Sequence, residues 1–456
     1  EEAAPIFQQD VVILFTSDVH CGVESNFGYA GLALVRDAYE RAGNHVLLVD
    51  NGDSIQGEPV GTMTSGEANI KLMNAVGYDI ATMGNHEFDY GMDRFFELTK
   101  MANFPYISCN FNKDGELQFA PYVIKEFDGV KIAFVGISTP KTLTSSTPKY
   151  FQDENGNFIY GFFEDETGEK LYAAVQKAVD DARAEGAQFV IAMAHLGNES
   201  ECKPYAYDDV IANTSGINAM LDGHSHDTAH VKMRNKDGKT VLRQGCGTKL
   251  QGIGYLKIAS GDGAMDTGVM LWNCKDFNAT EMYNLDTDVT KAVSEATDEL
   301  NAALAEFGTR GIEGASISEI AARAGIGKST VYEYFTSKSE LFLAVCKMKA
   351  RQIMEEVCTV FAQDIPFASQ LEHYVRMMLC LTQEVDMSQI LRIVGDESLS
   401  ELREMVEQLW TQMAAATERA VQRAQSAGEL AADLDAPAAA AYFLSIPNPY
   451  FVYRMK

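Results

Sequence analysis

The sequence predicts an α/β domain followed by an all-α region. In the first part of the chain, short apolar runs alternate with longer stretches whose apolar residues recur at helical spacing, and this alternation is typical of α/β domains. From about residue 286, Ala, Leu, Glu, Met and Gln dominate and the helical spacing continues, with no strand-like run before the last few residues. The length of 456 residues corresponds to about three domains.

The composition is that of a folded globular protein. Charged residues make up 22% of the chain and hydrophobic residues 46%, which excludes collagen and wholesale disorder. The longest apolar run, residues 438–446, is about half as long as a membrane helix requires, so we expect no membrane partner. The formal net charge of −28 argues against nucleic acid as the partner of the chain as a whole.

That charge is shared unequally between the two parts. Residues 1–298 contain 23 Lys and Arg against 44 Asp and Glu, and residues 299–456 contain 14 against 21. Seven of the eight histidines precede residue 231. The eight cysteines form no Cys-x-x-Cys pair, so we expect no zinc ribbon or thioredoxin motif. The chain begins with Glu1 and not with Met. We interpret this start as the mature end left after removal of a signal peptide, and we favour this interpretation over a trimmed chain.

Secondary structure follows from the apolar patterns. Strands are predicted at residues 11–15, 46–49, 132–135 and 189–192, and helices at 28–42 and 169–185. Residues 153–168, rich in Asn, Asp, Glu and Gly, predict an inserted loop or hairpin. In the second part, helices are predicted at 289–308, 316–324, 328–335, 338–361, 368–383, 399–427 and 436–445. We expect the domain boundary near residues 290–300, within one helix.

Five short polar motifs follow apolar runs in the first part and contain five of the eight histidines. They are Ser17-Asp18-Val19-His20, Asn51-Gly52-Asp53, Gly84-Asn85-His86-Glu87, Ala194-His195 and Gly223-His224-Ser225-His226. Ligands of open α/β sheets bind beyond the carboxyl ends of the strands, where these motifs would converge. Oxygen donors mixed with neutral imidazoles suit Zn, Mn or Fe. A single such motif is more often a hydrogen-bonded histidine or a turn, but five at strand ends favour a metal site.

The spacing of these motifs also predicts their backbone. On an extended chain, alternate side chains point the same way, so both ligands of Asp-x-His or His-x-His reach one site. Glycines at positions 52, 84 and 223 precede ligands, and we expect sharp turns there that a Cβ would hinder.

The order of the motifs resembles the calcineurin-like metallophosphoesterases, and longer strings narrow the resemblance to the 5′-nucleotidase family over about residues 8–290. The strings are Gly84-Asn85-His86-Glu87-Phe88-Asp89-Tyr90-Gly91, Gly52-Asp53-Ser54-Ile55-Gln56-Gly57 and Ala194-His195-Leu196-Gly197. The resemblance implies a four-layer α/β sandwich as the catalytic domain, residues 1–290, and two divalent metal ions, Zn, Mn or similar. One ion would be bound by Asp18, His20, Asp53 and His226. The second would be bound by Asp53, Asn85, His195 and His224, with Asp53 shared.

The resemblance also implies an activity, the hydrolysis of 5′-nucleotides or related phosphate esters by a metal-bridging hydroxide. His86 would contact the phosphoryl group, and Asp89 would orient His86; the alternative for Asp89 is a plain turn residue. Family members usually continue into a second α/β domain that binds the nucleotide. Nothing after residue 286 resembles that domain, so the preferred base is not predicted.

Residues 300–345 predict a helix followed by a helix-turn-helix. Ser316 and Glu319 form a candidate capping box, and Gly325 permits a tight turn. Residues 308–350 carry six Lys and Arg against four Asp and Glu, a basic segment within an acidic chain. The pattern that suggests a family is Ser316-Ile317-Ser318-Glu319-Ile320-Ala321, Ala324-Gly325-Ile326, Thr330-Val331-Tyr332, Phe335 and Ser337-Lys338.

That pattern resembles the tetracycline-repressor (TetR) family; the alternative is a generic helical hairpin. The resemblance implies a linker helix and helix-turn-helix at 291–345, and a truncated helical ligand-binding domain at 346–456. It implies contacts with the major groove or phosphates of a DNA operator. The residues concerned would be Lys328, Ser329, Thr330, Tyr332, Tyr334 and Lys338. Dimerisation is not predicted, because the family's closing helices have no counterpart here.

Two hypotheses follow, and we favour the first. The chain is a two-metal phosphoesterase fused to a TetR-like region, or it is a ligand-responsive regulator whose front domain is a fusion partner. A third reading makes the second part a plain helical appendage. By resemblance, the front domain would be secreted, periplasmic or on the cell surface, and the back domain cytoplasmic, so the location of the fusion is left open.

Overall fold

The structure is a computed structural model whose described residues fall into two compact units, Glu1–Ala296 and Thr297–Lys456, called here the first and second units. The described residues are 6–23, 26–198, 200–271, 289, 291–293, 306–307, 310, 314–323, 337–362, 365–384 and 400–445. Each unit is described by itself.

The first unit alternates strands and helices through most of its length. Its strands are β1 Val11–Thr16, β2 His45–Asp50, β3 Ile80–Ala81, β4 Asn112–Lys113, β5 Glu116–Leu117, β6 Tyr122–Phe127, β7 Val130–Ser138, β8 Tyr160–Gly161, β9 Phe189–His195, β10 Ala219–Asp222, β11 His230–Arg234, β12 Thr240–Gln244, β13 Gly252–Ile258 and β14 Met265–Leu271. Its helices are α1 Gly28–Arg41, α2 Pro59–Thr64, α3 Glu67–Val76, α4 Met92–Met101, α5 Thr142–Ser145, α6 Glu169–Ala184 and α7 Tyr207–Asn213.

The strands form two large mixed sheets and one small sheet. The first large sheet has the order β14-β13-β1-β2-β3, and the second has the order β11-β12-β10-β9-β7-β6. The neighbours β1 and β2 are parallel, as are β7, β9, β10 and β12 along the second sheet. The small sheet has the order β5-β4-β8. Parallel neighbours bring the carboxyl ends of their strands, and the loops that follow them, to the same edge of a sheet.

The two large sheets pack face to face around one apolar core. Phe15 and Val49 of the first sheet meet Phe134 and Ile191 of the second within a single buried cluster. The outer face of the second sheet is covered by α6, through buried residues such as Val175. On the first sheet, α1 packs against β2 and α3. This four-layer α/β sandwich confirms the predicted fold.

The described part of the second unit is helical. Its helices are α8 Ile317–Arg323, α9 Lys338–Ala362, α10 Phe367–Glu384, α11 Ser400–Ser426 and α12 Ala436–Ser445. Helices α9 to α12 share a core that includes Phe361, Tyr374, Met378 and Val421, and the Tyr374 hydroxyl donates to the carbonyl of Leu444 at 2.8 Å. Among the described residues, no helix combines the length and apolar character needed to cross a membrane.

The start of α8 differs from the predicted capping box. The Ser316 hydroxyl accepts a hydrogen bond from the Glu319 amide at 3.4 Å, so Ser316 does cap the helix. The Ser316 amide, which Glu319 would accept in a complete box, donates instead to the Glu306 carboxylate at 3.4 Å. Glu319 instead forms an ion pair with Arg310 at 2.8 Å. The side chain of Glu319 therefore pairs with Arg310 and not with the Ser316 amide. Only the half of the predicted box that Ser316 supplies is formed.

Candidate metal centre

The predicted ligands lie where parallel strands end. Asp18 follows β1 and Asp53 follows β2, and the last residues of these strands, Thr16 and Asp50, are paired in register. His195 is the last residue of β9, and its neighbour β10 leads into the loop that carries two more histidines. The topology thus brings five separate sequence motifs to one edge of the sandwich.

Three of the predicted ligands form a first cluster, named here the Asp18 group: Asp18, His20 and His226. Their candidate ligand atoms all lie within 4.8 Å of one another. The Nε2 atoms of His20 and His226 face each other at 3.2 Å, and His226 Nε2 lies 3.4 Å from Asp18 Oδ1. Two imidazole nitrogens and a carboxylate oxygen thus point toward one position.

A second cluster, named here the Asp53 group, contains Asp53, His195 and His224, again with ligand atoms within 4.8 Å. His195 Nε2 lies 3.1 Å from Asp53 Oδ2. The same nitrogen lies 3.9 Å from Asp18 Oδ1, so the two groups are neighbours. Asp53 falls in the second group alone, and its sharing between two ions stays a prediction.

Asn85 adjoins the Asp53 group. It is buried, and its Oδ1 atom has no hydrogen-bond partner among the described residues. The next residue, His86, donates its backbone N–H to Asp53 Oδ1 at 2.7 Å. A buried amide oxygen without a partner is costly in a folded protein, and coordination of a cation would satisfy it.

The charges of the centre also fit cations. Asp18 is 0% exposed and Asp53 2%, and buried carboxylates are unfavourable unless positive charge compensates them. Burial opposes the protonation of His195, but the charges of Asp53 and Asp18 and the hydrogen bond to Asp53 together outweigh it and raise the pKa of His195 to about 10. Burial alone would raise the pKa of Asp53, but His195 holds it below its usual range. Divalent cations would take over the compensation that protons supply here.

The backbone at the ligands is not extended, so that prediction was wrong. Positive φ angles of 47° to 79° occur at Asp18, His20, Asp53, His224 and His226. Such angles are uncommon for residues with a Cβ and cluster at functional sites. His224 and His226 point into different groups as a result of their tight loop, whereas Asp18 and His20 share one.

The three glycines serve two different purposes. Gly52 has a φ of 94°, as its expected turn requires. The φ angles of Gly84 and Gly223 are not in the left-handed region, but both lie against ligand side chains. A Cβ at Gly84 would lie 2.7 Å from His195 Nε2, and one at Gly223 would lie 2.9 Å from Asp18 Oδ2. These two positions need glycine for space.

His86 and Asp89 form the expected pair. His86 Nδ1 lies 2.6 Å from Asp89 Oδ2, and the Ser146 hydroxyl donates to the other carboxylate oxygen at 3.1 Å. Burial lowers the pKa of His86, but the bond to Asp89 and the charges of the nearby carboxylates together outweigh this effect and raise the pKa to about 9. The His86 ring lies 5.3 Å from that of His20, beside the Asp18 group. The predicted role of this pair in turnover remains a prediction.

Sequence reasoning gave no role to Glu87, although the motif contains it. One carboxylate oxygen of Glu87 accepts the amides of Asp53 at 2.7 Å and Gly84 at 2.6 Å. The other accepts the Ser54 amide at 2.8 Å. Glu87 therefore connects the loop after β2 to the loop after β3. The sequence feature that could have indicated this role is the position of Glu87 directly after His86.

The predicted DNA-contacting residues are mostly outside the described part of the chain. This applies to Lys328, Ser329, Thr330, Tyr332 and Tyr334. Lys338 is described at the start of α9, where its Nζ donates to the carbonyl of Ala315 at 3.2 Å.

Two family models match the chain in separate segments. Residues 11–228 match the family described as calcineurin-like phosphoesterase. Residues 300–345 match the family described as bacterial regulatory proteins, tetR family.

Curated relatives resemble the first unit. The trifunctional nucleotide phosphoesterase protein YfkN of Bacillus subtilis is 29% identical over 58% of this chain and 20% of its own length. A 2′,3′-cyclic-nucleotide 2′-phosphodiesterase/3′-nucleotidase of Haemophilus influenzae is 31% identical over 48% of this chain and 36% of its own. The 5′-nucleotidase of Bos taurus is 31% identical over 48% and 38%. The chain spans well under half the length of these relatives.

Among solved structures, a 5′-nucleotidase precursor from Thermus thermophilus superposes with a TM-score of 0.52 at 22% identity, over 65% of this chain and 61% of its own. The NAD nucleotidase of Haemophilus influenzae gives a TM-score of 0.52 at 19% identity, over 67% and 62%. At these identities the likeness shows a shared fold. Together with the family match, it shows that residues 11–228 form a calcineurin-like phosphoesterase domain, while residues 300–345 match the tetR family model.

Proposed function

We propose that the first unit is a two-metal phosphoesterase that hydrolyses 5′-nucleotides or related phosphate esters. The observation that carries this proposal is the pair of neighbouring ligand groups, built from buried carboxylates and imidazoles, beside the His86–Asp89 pair. Divalent ions at two adjacent sites would polarise phosphoryl oxygens and make a water-derived nucleophile available at neutral pH. The donor set fits Zn, Mn or a similar ion.

The protein's own contribution to turnover centres on His86. Asp89 holds Nδ1, which leaves Nε2 for the substrate, and the side chain is 33% exposed. The raised pKa favours an imidazolium that donates to the phosphoryl group or to the leaving oxygen. Ser146 and the backbone turn at residues 86–88 keep Asp89 in place.

Nucleotides are the substrate class that the relatives' names support. The curated relatives are named as a nucleotide phosphoesterase, a 2′,3′-cyclic-nucleotide 2′-phosphodiesterase/3′-nucleotidase and a 5′-nucleotidase. These names describe proteins of which this chain spans only a part, so the ester preference of this chain is itself part of the proposal.

A second function, DNA binding, is favoured by a specific observation in the second unit. Residues 300–345 match the tetR family model, and α8 begins with the Ser316 cap expected for the first helix of the motif. We propose that this segment contacts DNA phosphates and base edges through the helix-turn-helix. The enzyme proposal does not depend on it.

The activity proposal predicts metal-dependent hydrolysis. With Mn²⁺, Zn²⁺ or Co²⁺, the full chain should hydrolyse an aryl phosphate and nucleotide monoesters, and a chelator should abolish turnover. His86→Ala should lower kcat by about 10² to 10⁴-fold, the usual contribution of a general acid. Asp53→Asn should leave no measurable turnover, because it removes the buried negative charge that would hold a cation. Steady-state kinetics over nucleotides, cyclic nucleotides and nucleotide sugars measures both effects.

The matched control for these variants is His45→Ala. His45 lies at the start of β2, at the opposite end of the strand from Asp50, and pairs with Asp128. It should keep full activity. Normal turnover in either Asp53→Asn or His86→Ala would contradict the site assignment.

The glycine geometry predicts a metal-binding defect. Gly84→Ala places a methyl group 2.7 Å from His195 Nε2, so the Asp53 group must shift. We expect at least about a tenfold loss of Mn²⁺ affinity, the lower end of what displaced supporting groups cost. Titration calorimetry measures it, with Gly261→Ala as control because a Cβ there meets nothing within 4 Å. Equal affinity in both variants would show that the groups do not bind metal as assigned.

The DNA-binding proposal predicts salt-dependent binding to a palindromic site selected from a random-sequence library. Lys328→Ala combined with Tyr332→Ala should weaken binding and reduce the salt slope by about 1, through the lost phosphate contact. Tyr442→Ala, at an exposed position on α12, is the control. Fluorescence anisotropy at several salt concentrations distinguishes them. Unchanged binding in the double variant would argue against the recognition-helix assignment.

A further inference from the structure

A buried arginine lies directly behind the metal centre, and neither the sequence motifs nor the proposed chemistry uses it. Arg243 lies on β12, paired in register with Met220 of β10, and is 1% exposed. Its guanidinium forms ion pairs with Asp222 at 2.8 Å and Asp227 at 2.5 Å. The ring of Tyr207 covers it at 4.5 Å. A buried charge with such a complete set of partners is costly to assemble and fixes the geometry of all its partners.

The first partner connects Arg243 to the loop after β9. Asp222 is the last residue of β10, and its Oδ2 atom accepts from Arg243. Its Oδ1 atom accepts the Leu196 amide at 2.9 Å. Leu196 directly follows His195, so the position of this ligand's loop is tied to the arginine through one carboxylate.

The second partner connects Arg243 to the loop after β10. Asp227 directly follows His226. Its Oδ1 atom accepts from Arg243 and from the Ala229 amide, and its Oδ2 atom accepts from Arg243 at 3.0 Å and from Asn198 Nδ2 at 2.8 Å. The Asp227 carboxylate therefore accepts hydrogen bonds from three different segments: strand β12, its own loop and the loop after β9.

The loop that carries His224 and His226 adopts an unfavourable backbone conformation, so it needs stabilising contacts from other segments. His224 and His226 have φ angles of 79° and 53°, which side chains with a Cβ rarely adopt. One residue points into the Asp53 group and the other into the Asp18 group. A small rotation of this loop would therefore withdraw a ligand from both groups at once.

We propose that Arg243 is a positioning residue that holds the His224–His226 loop in its metal-binding conformation through Asp227. This inference rests on the proposed function, because it takes the two groups as metal ligands. The pair with Asp222 joins β12 to β10 and supports the loop after β9. The pair with Asp227, whose side chain is 21% exposed, acts on the loop.

Asp227→Asn separates these two roles, because it leaves Arg243 and Asp222 unchanged. The amide has the size of the carboxylate, but in either orientation its NH₂ group faces two donors: Arg243 and Asn198, or Arg243 and the Ala229 amide. The loop should lose its anchor while the strands keep theirs. Asp10→Asn is the matched control, since Asp10 is 25% exposed, accepts a backbone amide and pairs with Lys257 at 2.6 Å.

The experiment is a Mn²⁺ titration of the full chain by calorimetry, with the free ion counted by electron paramagnetic resonance. Asp227→Asn should weaken Mn²⁺ binding by about 10 to 100-fold, as loss of a group supporting metal ligands does. Its metal-free Tm should fall no further than that of Asp10→Asn, which should bind Mn²⁺ normally. Asn198→Ala, at an exposed position, should weaken binding several-fold and serves as the second variant if Asp227→Asn does not fold.

The outcomes distinguish a failure of the positioning role of Arg243 from a failure of the proposed metal centre. Unchanged Mn²⁺ affinity in Asp227→Asn, or in Asn198→Ala if the first variant does not fold, would overturn the positioning role alone. A metal-free Tm lowered beyond the control, with a proportionate loss of affinity, would overturn it in favour of a purely structural role. If the unchanged protein bound no Mn²⁺, the metal centre itself would be wrong and the inference with it.

Discussion

The structure of the first unit depends on negative charge buried at one edge of two packed sheets. Asp18 and Asp53 are almost wholly inaccessible to water, and the strands that precede them are buried on both faces. Carboxylates in such a position destabilise the fold unless cations or protonated imidazoles compensate them. His86, His195 and His226, whose pKa values are raised, meet part of that requirement without metal, and divalent ions would meet it more fully. The cations that the proposed catalysis requires would therefore also stabilise the fold.

The supporting contacts hold the ligands in conformations that local sequence does not favour. Glu87 fixes the loop after β2 through backbone amides, and the pair formed by Arg243 and Asp227 fixes the loop after β10. The apolar core between the sheets supplies a rigid base for both. Pre-organised ligands of this kind lower the reorganisation needed when a cation binds, which is why groups outside the coordination sphere matter to affinity.

Much of this arrangement could be predicted from the sequence, and the rest could not, for physical reasons. Central parallel strands such as β1 and β9 are continuous apolar runs, and their terminal polar motifs marked the ligands. The edge strand β6 does not alternate polar and apolar residues, and the edge strand β11 alternates over only five residues, so neither was predicted. The positive φ angles depend on tertiary contacts, as does the partner of Glu319, so neither follows from spacing. For Arg243, the sequence shows only a charged residue next to the apolar residues of β12, and its buried partners do not follow from that.

If the metal centre is assigned correctly, the Asp18 group and the Asp53 group each bind one divalent ion. Anomalous X-ray diffraction from crystals grown with Mn²⁺, at the manganese edge, tests it most directly. We expect two peaks, one within coordination distance of Asp18, His20 and His226, and the other within coordination distance of Asp53, His195 and His224. A single peak, or two peaks at other residues, would contradict it.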